Sequence, residues 1–99
     1  MWAQLVKVRM KGGAEEEFEK VRNEMRTRQA QARPGFVRLL SMRNQRDPQE
    51  YYTLIVFESE EKAREGERGL EQDELFQRLR SLQEGTPEYV DLEVVDDVS

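Results

Sequence analysis

The stretch "EYYTLIVFE", residues 50–58, is apolar on both sides of an extended chain: Tyr51, Thr53, Ile55 and Phe57 alternate with Tyr52, Leu54 and Val56. Period two with β-branched and aromatic residues reads as a strand. A strand that is greasy on both faces must be covered on both faces. Helices of the same chain can cover one, and the other needs a further layer. The chain has little material for that, because its 99 residues are 36% hydrophobic and 37% charged. It reads as a single domain over residues 1–99, with one modest core and a gain to be had from burying more surface in an oligomer.

The flanking segments supply the first layer. "WAQLVKVRM" (2–10) sets Gln4, Val6, Val8 and Met10 on one side against Leu5, Lys7 and Arg9, and is broken by Lys11-Gly12-Gly13. "AEEEFEKVRNEMRTRQAQAR" (14–33) places Phe18, Val21, Met25 and Ala32 at helical spacing. Three glutamates open it where the helix dipole favours negative charge, and Glu16–Lys20 and Glu24–Arg28 stand at i,i+4. Pro34-Gly35 ends it. "GFVRLLSMRNQ" (35–45) is a second strand, joined to the strand at 50–58 by a turn at Arg46-Asp47-Pro48-Gln49 with the proline φ already set. Ser59 is the expected N-cap of a further helix, polar and broken at Gly66 and Gly69. "QDELFQRLRSLQ" (72–83) carries Leu75, Phe76, Leu79 and Leu82 on one face, and "EYVDLEVVDD" (88–97) alternates Val90, Leu92 and Val94 against Asp91 and Glu93. An acidic, frayed tail is expected over 96–99. The order β-α-β-β-α-β, with the second helix in two pieces, predicts an α+β ferredoxin-like fold with a four-stranded antiparallel sheet.

Composition removes several chemistries. A net charge of −5 with bases scattered among acids gives no concentrated positive face for nucleic acid. No apolar run is long enough for a membrane span, and the N-terminus lacks a signal-peptide pattern. There is no cysteine, hence no disulfide and no thiolate, which fits a cytoplasmic protein. There is no histidine, which excludes a histidine base, a histidine metal site and a proximal-histidine haem. Glu15-Glu16-Glu17 is not a metal site, because consecutive helical residues do not face one another. No metal site is expected.

The run "ARPGFVRLLSMRNQRDPQEYYTLIVFESEEKA" (32–63), together with "VRMKGGAEEEFEKV" (8–21), resembles the antibiotic-biosynthesis-monooxygenase-like family of the dimeric α/β-barrel superfamily. The resemblance covers roughly residues 2–83 and rests on order and spacing. It implies a homodimer whose two sheets pack face to face, which would supply the missing second cover of residues 50–58. It also implies a small-molecule pocket between the sheet and the helices of each subunit, and an activity such as cofactor-independent monooxygenation of an aromatic or quinol substrate. The alternative it leaves open is a non-catalytic ligand-binding or accessory protein. The haem-degrading branch is disfavoured: its strand asparagine falls at Leu5 or Val6, its helix tryptophan near Gly66 and its histidine near Arg80.

The candidate pocket residues are Gln4, Val6, Tyr52, Phe57 and Phe76. Gln4 shares the parity of Val6 and Val8, so its amide points into an apolar neighbourhood and needs a hydrogen-bond partner there. Tyr52 could donate to a phenolate or quinone oxygen, while Phe57 and Phe76 could stack on a ring. Each has a plainer reading as a strand, core or interface residue, and no catalytic residue is identified.

Overall fold

The computed structural model describes residues 1–27 and 32–99, and of Glu71 the backbone alone. Its elements follow the expected order: β1 (Trp2–Arg9), α1 (Glu15–Met25), β2 (Phe36–Arg43), β3 (Glu50–Phe57), α2 (Glu60–Glu67), α3 (Glu74–Ser81) and β4 (Glu88–Glu93), with a 3-10 turn at Leu70–Gln72. The expected helix beyond residue 27, and Arg28 of the Glu24–Arg28 pair, fall partly outside the described residues. The four strands form one antiparallel sheet in the order β2-β3-β1-β4, the ferredoxin-like arrangement. Helices cover one face only.

The register assigns every strand residue to a face. Gln4 pairs with Ile55 and Asp91, and Val6 with Thr53 and Tyr89, so these side chains share the helix-covered face. Leu5 pairs with Leu54 and Val90, and Leu54 with Leu40, so these lie on the opposite, open face. The fourth strand therefore turns its apolar Val90 and Leu92 to the open side and its acidic Asp91 toward the helices. Between Phe36 and Arg38 a β-bulge shifts the register.

The core sits between the sheet and α1 with α3. Val8, Met10, Phe18 and Tyr51 are buried together, with Val6, Leu79 and Leu82 packed against them. Phe18 meets Tyr51 edge-on, with ring centroids 4.6 Å apart. Each such side chain contributes roughly 1.5–3 kcal/mol on burial. The end of β1 is tied to the end of α3 by Lys11 N–H donating to the Leu82 carbonyl (2.9 Å) and Glu84 N–H donating to the Arg9 carbonyl (2.6 Å). Glu16 and Lys20 do not pair. Instead Glu17 reaches Arg78 of α3 at 2.8 Å, so the acidic first turn of α1 is used between helices.

The second helical region departs from expectation at one glycine. Ser59 caps α2 as expected, its hydroxyl accepting from Lys62 N–H at 3.2 Å. Gly66 does not break the helix but lies inside α2, and the break comes at Gly69 in the left-handed region (φ 85°). The chain then restarts at α3, where the Asp73 carboxylate accepts from the N–H groups of Leu75 (2.8 Å) and Phe76 (3.3 Å). That N-cap starts α3, which buries Leu75 and brings Phe76 to the cleft lining.

Candidate functional site

Between the sheet and the helices lies a solvent-open cleft of about 800 Å³, within the range of small-molecule sites. Its floor is the helix-covered face of the sheet: Gln4, Val6 and Val8 of β1, Thr53 and Ile55 of β3, Leu39 and Ser41 of β2. Its roof is Phe18 and Met25 of α1 with Phe76 and Leu79 of α3, and Gly69-Leu70 closes one end. The floor follows from strand alternation and the roof from helical spacing, so a mainly apolar chamber results where the two periodicities meet.

Several polar groups of the lining are fixed by bonds to one another. Gln4 Nε2 donates to Asp91 Oδ1 across the β1–β4 pair at 3.1 Å. Asp91 Oδ2 accepts from Arg64 Nη2 at 3.0 Å. Arg64 therefore reaches from α2 to the far strand, passing over the Trp2 ring with 5.1 Å to its centroid. It also holds Glu60 and Glu67 of its own helix. Partial desolvation pulls its pKa down, but Glu67, Glu60 and Asp91 together hold it above the ordinary arginine value. The Gln4 side-chain oxygen accepts no hydrogen bond among the described residues, which leaves it an open acceptor in the cleft wall.

Arg33 lines the cleft from the segment before β2. Its guanidinium stacks on the Phe57 ring, 4.6 Å from the centroid, and donates from Nη2 to the Ala63 carbonyl at 3.1 Å. Its Nε is buried without a hydrogen-bond partner. Burial pushes its pKa below the ordinary arginine value, opposed by the charge of Glu67.

Of the five sequence candidates, Gln4, Val6 and Phe76 line this cleft. Phe57 is on the same face of the sheet but buried behind it, between Trp2 (6.2 Å) and Phe36 (6.3 Å) and beneath Arg33. Tyr52 is corrected: its register partner Lys7 puts it on the open face, and its hydroxyl donates to Glu50. That bond raises the Tyr52 pKa and, with Asn44, lowers that of Glu50. Tyr52 and Phe57 are separated by parity, the constraint that residue type alone does not carry. Missed in the sequence were Asp91, Arg33, Arg64 and Arg80. Asp91 needed the β1–β4 register, whereas Arg64 had a local signal in its acids at Glu60 and Glu67. Among the described residues no group of three or more acids, histidines or cysteines could hold a metal ion, and no helix is long and apolar enough to cross a membrane.

Comparison with known proteins places this geometry. No curated protein matches the chain significantly in sequence. Among solved structures, the N63A variant of SnoaB, a cofactor-independent oxygenase from Streptomyces nogalater, superposes with a TM-score of 0.77 at 20% identity, covering 98% of this chain and 95% of that one. A proposed antibiotic biosynthesis monooxygenase from Bordetella bronchiseptica gives 0.83 at 15% identity over 95% and 96%. Another from Caulobacter crescentus gives 0.80 at 16% over 96% and 90%. These likenesses establish the fold. The family model for antibiotic biosynthesis monooxygenase matches residues 1–65, which span β1 to α2 and most of the cleft floor. The chain belongs to the antibiotic biosynthesis monooxygenase family.

Proposed function

We propose that this chain is a cofactor-independent monooxygenase acting on an aromatic substrate of quinol or anthrone type, working as a homodimer. The observation that carries the reading is the cleft: about 800 Å³, with Val6, Val8, Leu39 and Ile55 in its floor and Phe18, Met25, Phe76 and Leu79 in its roof, in a chain of this family. A cofactor-independent reaction asks little of a protein in the way of nucleophiles. The substrate's own carbanion or phenolate donates electrons to oxygen, and the site binds, desolvates and orients it. With an anthrone the ring CH₂ becomes C=O. One oxygen atom enters that carbonyl, and the other leaves as water with the two hydrogens. Gln4 is the proposed positioning residue, its amide fixed by Asp91 and its oxygen open to a substrate hydroxyl. The proposed dimer joins the open sheet faces, a reading supported by the exposed Leu40, Met42, Val90 and Leu92 there.

Oxygen uptake over a panel of anthrones and quinols tests the activity. The expected result is one O₂ consumed per anthrone, with Gln4→Ala slowed roughly tenfold or more. Uptake no faster than buffer across the panel sinks the oxygenase. If ligands still bind in that case, the non-catalytic binding role takes its place.

A further inference from the structure

The protein is acidic, with a net charge of −5, yet its cleft is not. Among the described residues the lining holds six arginines, Arg22, Arg26, Arg33, Arg64, Arg68 and Arg80, against two carboxylates, Glu67 and Asp91. Both carboxylates are already bound to one arginine, Arg64, at 3.0 Å each. None of the other five makes an ion pair with a described residue, although Arg9 and Arg78 elsewhere on the surface do.

Three of the five are held in place without being neutralised. Arg22 lies over Phe18 at 5.7 Å, Arg33 over Phe57 at 4.6 Å and Arg80 over Phe76 at 4.8 Å. Cation–π attraction holds a guanidinium over a ring without bringing a negative charge to it, so the positive charge stays uncompensated. Arg33 is held further by its Nη2 bond to the Ala63 carbonyl at 3.1 Å and by its Nε packed against Gly66, so its charge is fixed in the cleft wall with no carboxylate bound to it. The arginines come from α1, the segment before β2, the end of α2 and α3, so the fold converges them on one chamber from four places.

We infer that the ligand of this cleft is an anionic aromatic: a ring body against the apolar floor, carrying at least one carboxylate or comparably acidic group held by Arg33, Arg80 and their neighbours. The inference names the substrate class for the proposed function and rests on that reading only in taking the cleft as the ligand site. A positive rim also favours the ionised form of a phenol or enol bound beneath it, the form that reacts with oxygen.

A matched pair of probes tests it. Anthracene-2-carboxylate and anthracene-2-carboxamide share a ring body and differ in charge, and their fluorescence reports binding to the intact chain without any reaction. The carboxylate should bind tighter than the carboxamide by roughly tenfold, the scale of one charge-assisted contact, and lose that margin as salt rises. Arg33→Met and Arg80→Gln should each weaken the carboxylate while leaving the carboxamide within about twofold. Arg80 is exposed, so its variant reports on charge even if Arg33→Met fails to fold. Equal affinity for the two probes, carboxylate affinity unmoved by Arg80→Gln, or no binding of either overturns the inference. A carboxylate preference with no oxygen uptake from any substrate keeps the inference and removes the oxygenase. Uptake with equal KM for acidic and neutral substrates does the reverse.

Discussion

Gly66 shows how much one absent side chain can fix. A Cβ built there would stand 3.1 Å from Arg33 Nε, 3.2 Å from Pro34 Cδ and 3.3 Å from Arg33 Cβ. The helix passes so close to the incoming chain that only a hydrogen fits comfortably. Arg33 cannot move aside cheaply, because Phe57 and the Ala63 carbonyl hold it, and the proline ring is rigid. In a free helix, alanine would be better than glycine by about 1 kcal/mol. Here the crowding opposes that gain, and overpacking of this kind costs roughly 1–3 kcal/mol. Gly66→Ala is therefore expected to be neutral to about 2 kcal/mol less stable in urea unfolding. A gain of the full ~1 kcal/mol would show that the segment at 33–34 yields freely. The glycine that reads in the sequence as a helix break is thus the close approach that seats an arginine in the cleft wall.

At the scale of elements, the β2–β3 connection is pinned to β1 by charge. Glu50 N–H donates to the Asp47 carbonyl at 3.1 Å, closing a turn over 47–50, one residue on from the expected 46–49, with Pro48 at its second position. Arg9 Nη1 donates to Asp47 Oδ2 at 2.6 Å. The hydrogen bond from Arg9 is the main cause holding the Asp47 pKa below its ordinary 3.8, with burial opposing and the Gln49 N–H adding to it. A depressed carboxylate contributes stability in full above its unfolded pKa and loses it as pH falls through the folded one. Asp47→Asn should therefore lower Tm near neutral pH by a small amount, and the gap to the parent should close as pH falls below about 4. A gap in Tm that stays constant into acid would mean the carboxylate's charge is not what ties the turn. This turn, the four strands and the Ser59 cap were all legible in the chain, because local rules specify them: period two, proline at the second turn position, a hydroxyl before two glutamates. The cleft was legible only by half. Gln4, Val6 and Phe76 follow from parity and helical spacing. Asp91 beside Gln4 is a contact between residues 87 positions apart, and Arg33 against α2 depends on how two elements approach. No window of sequence contains either. Tyr52 was misassigned for the same reason, since its residue type suits a pocket and only the register tells which face it takes.

For the whole molecule, the unresolved demand of residues 50–58 remains on the open face. Leu5, Leu40, Leu54 and Val90 line up across all four strands there, with Met42 and Leu92 beside them. Leu40, Met42, Val90 and Leu92 are 38%, 44%, 47% and 39% exposed, values that a finished core would not show. The molecule measures 36 × 32 × 22 Å. Its accessible surface is 6789 Å², against roughly 5,900 Å² for a compact monomer of its mass. The excess, to which the extended chain after β4 also contributes, is of the same order as the ~800 Å² that each partner buries in a standard interface. Three strands of eight residues and one of six, about 4.8 Å apart with about 3.3 Å rise per residue, give the face roughly 480 Å² in projection, and more once its pleat is counted. The proposed second copy, presenting the same face, would cover these side chains through a two-fold contact. Light scattering at micromolar concentration should then give twice the 11.8 kDa chain mass. Leu54→Lys, which sets a charge between Leu5 and Leu40 on that face, should shift the chain to the monomer while leaving its circular dichroism and its cleft intact. A parent protein that scatters as a monomer removes the sheet-to-sheet dimer. A Leu54→Lys protein that remains a dimer moves the interface to another face and leaves the open sheet without its cover.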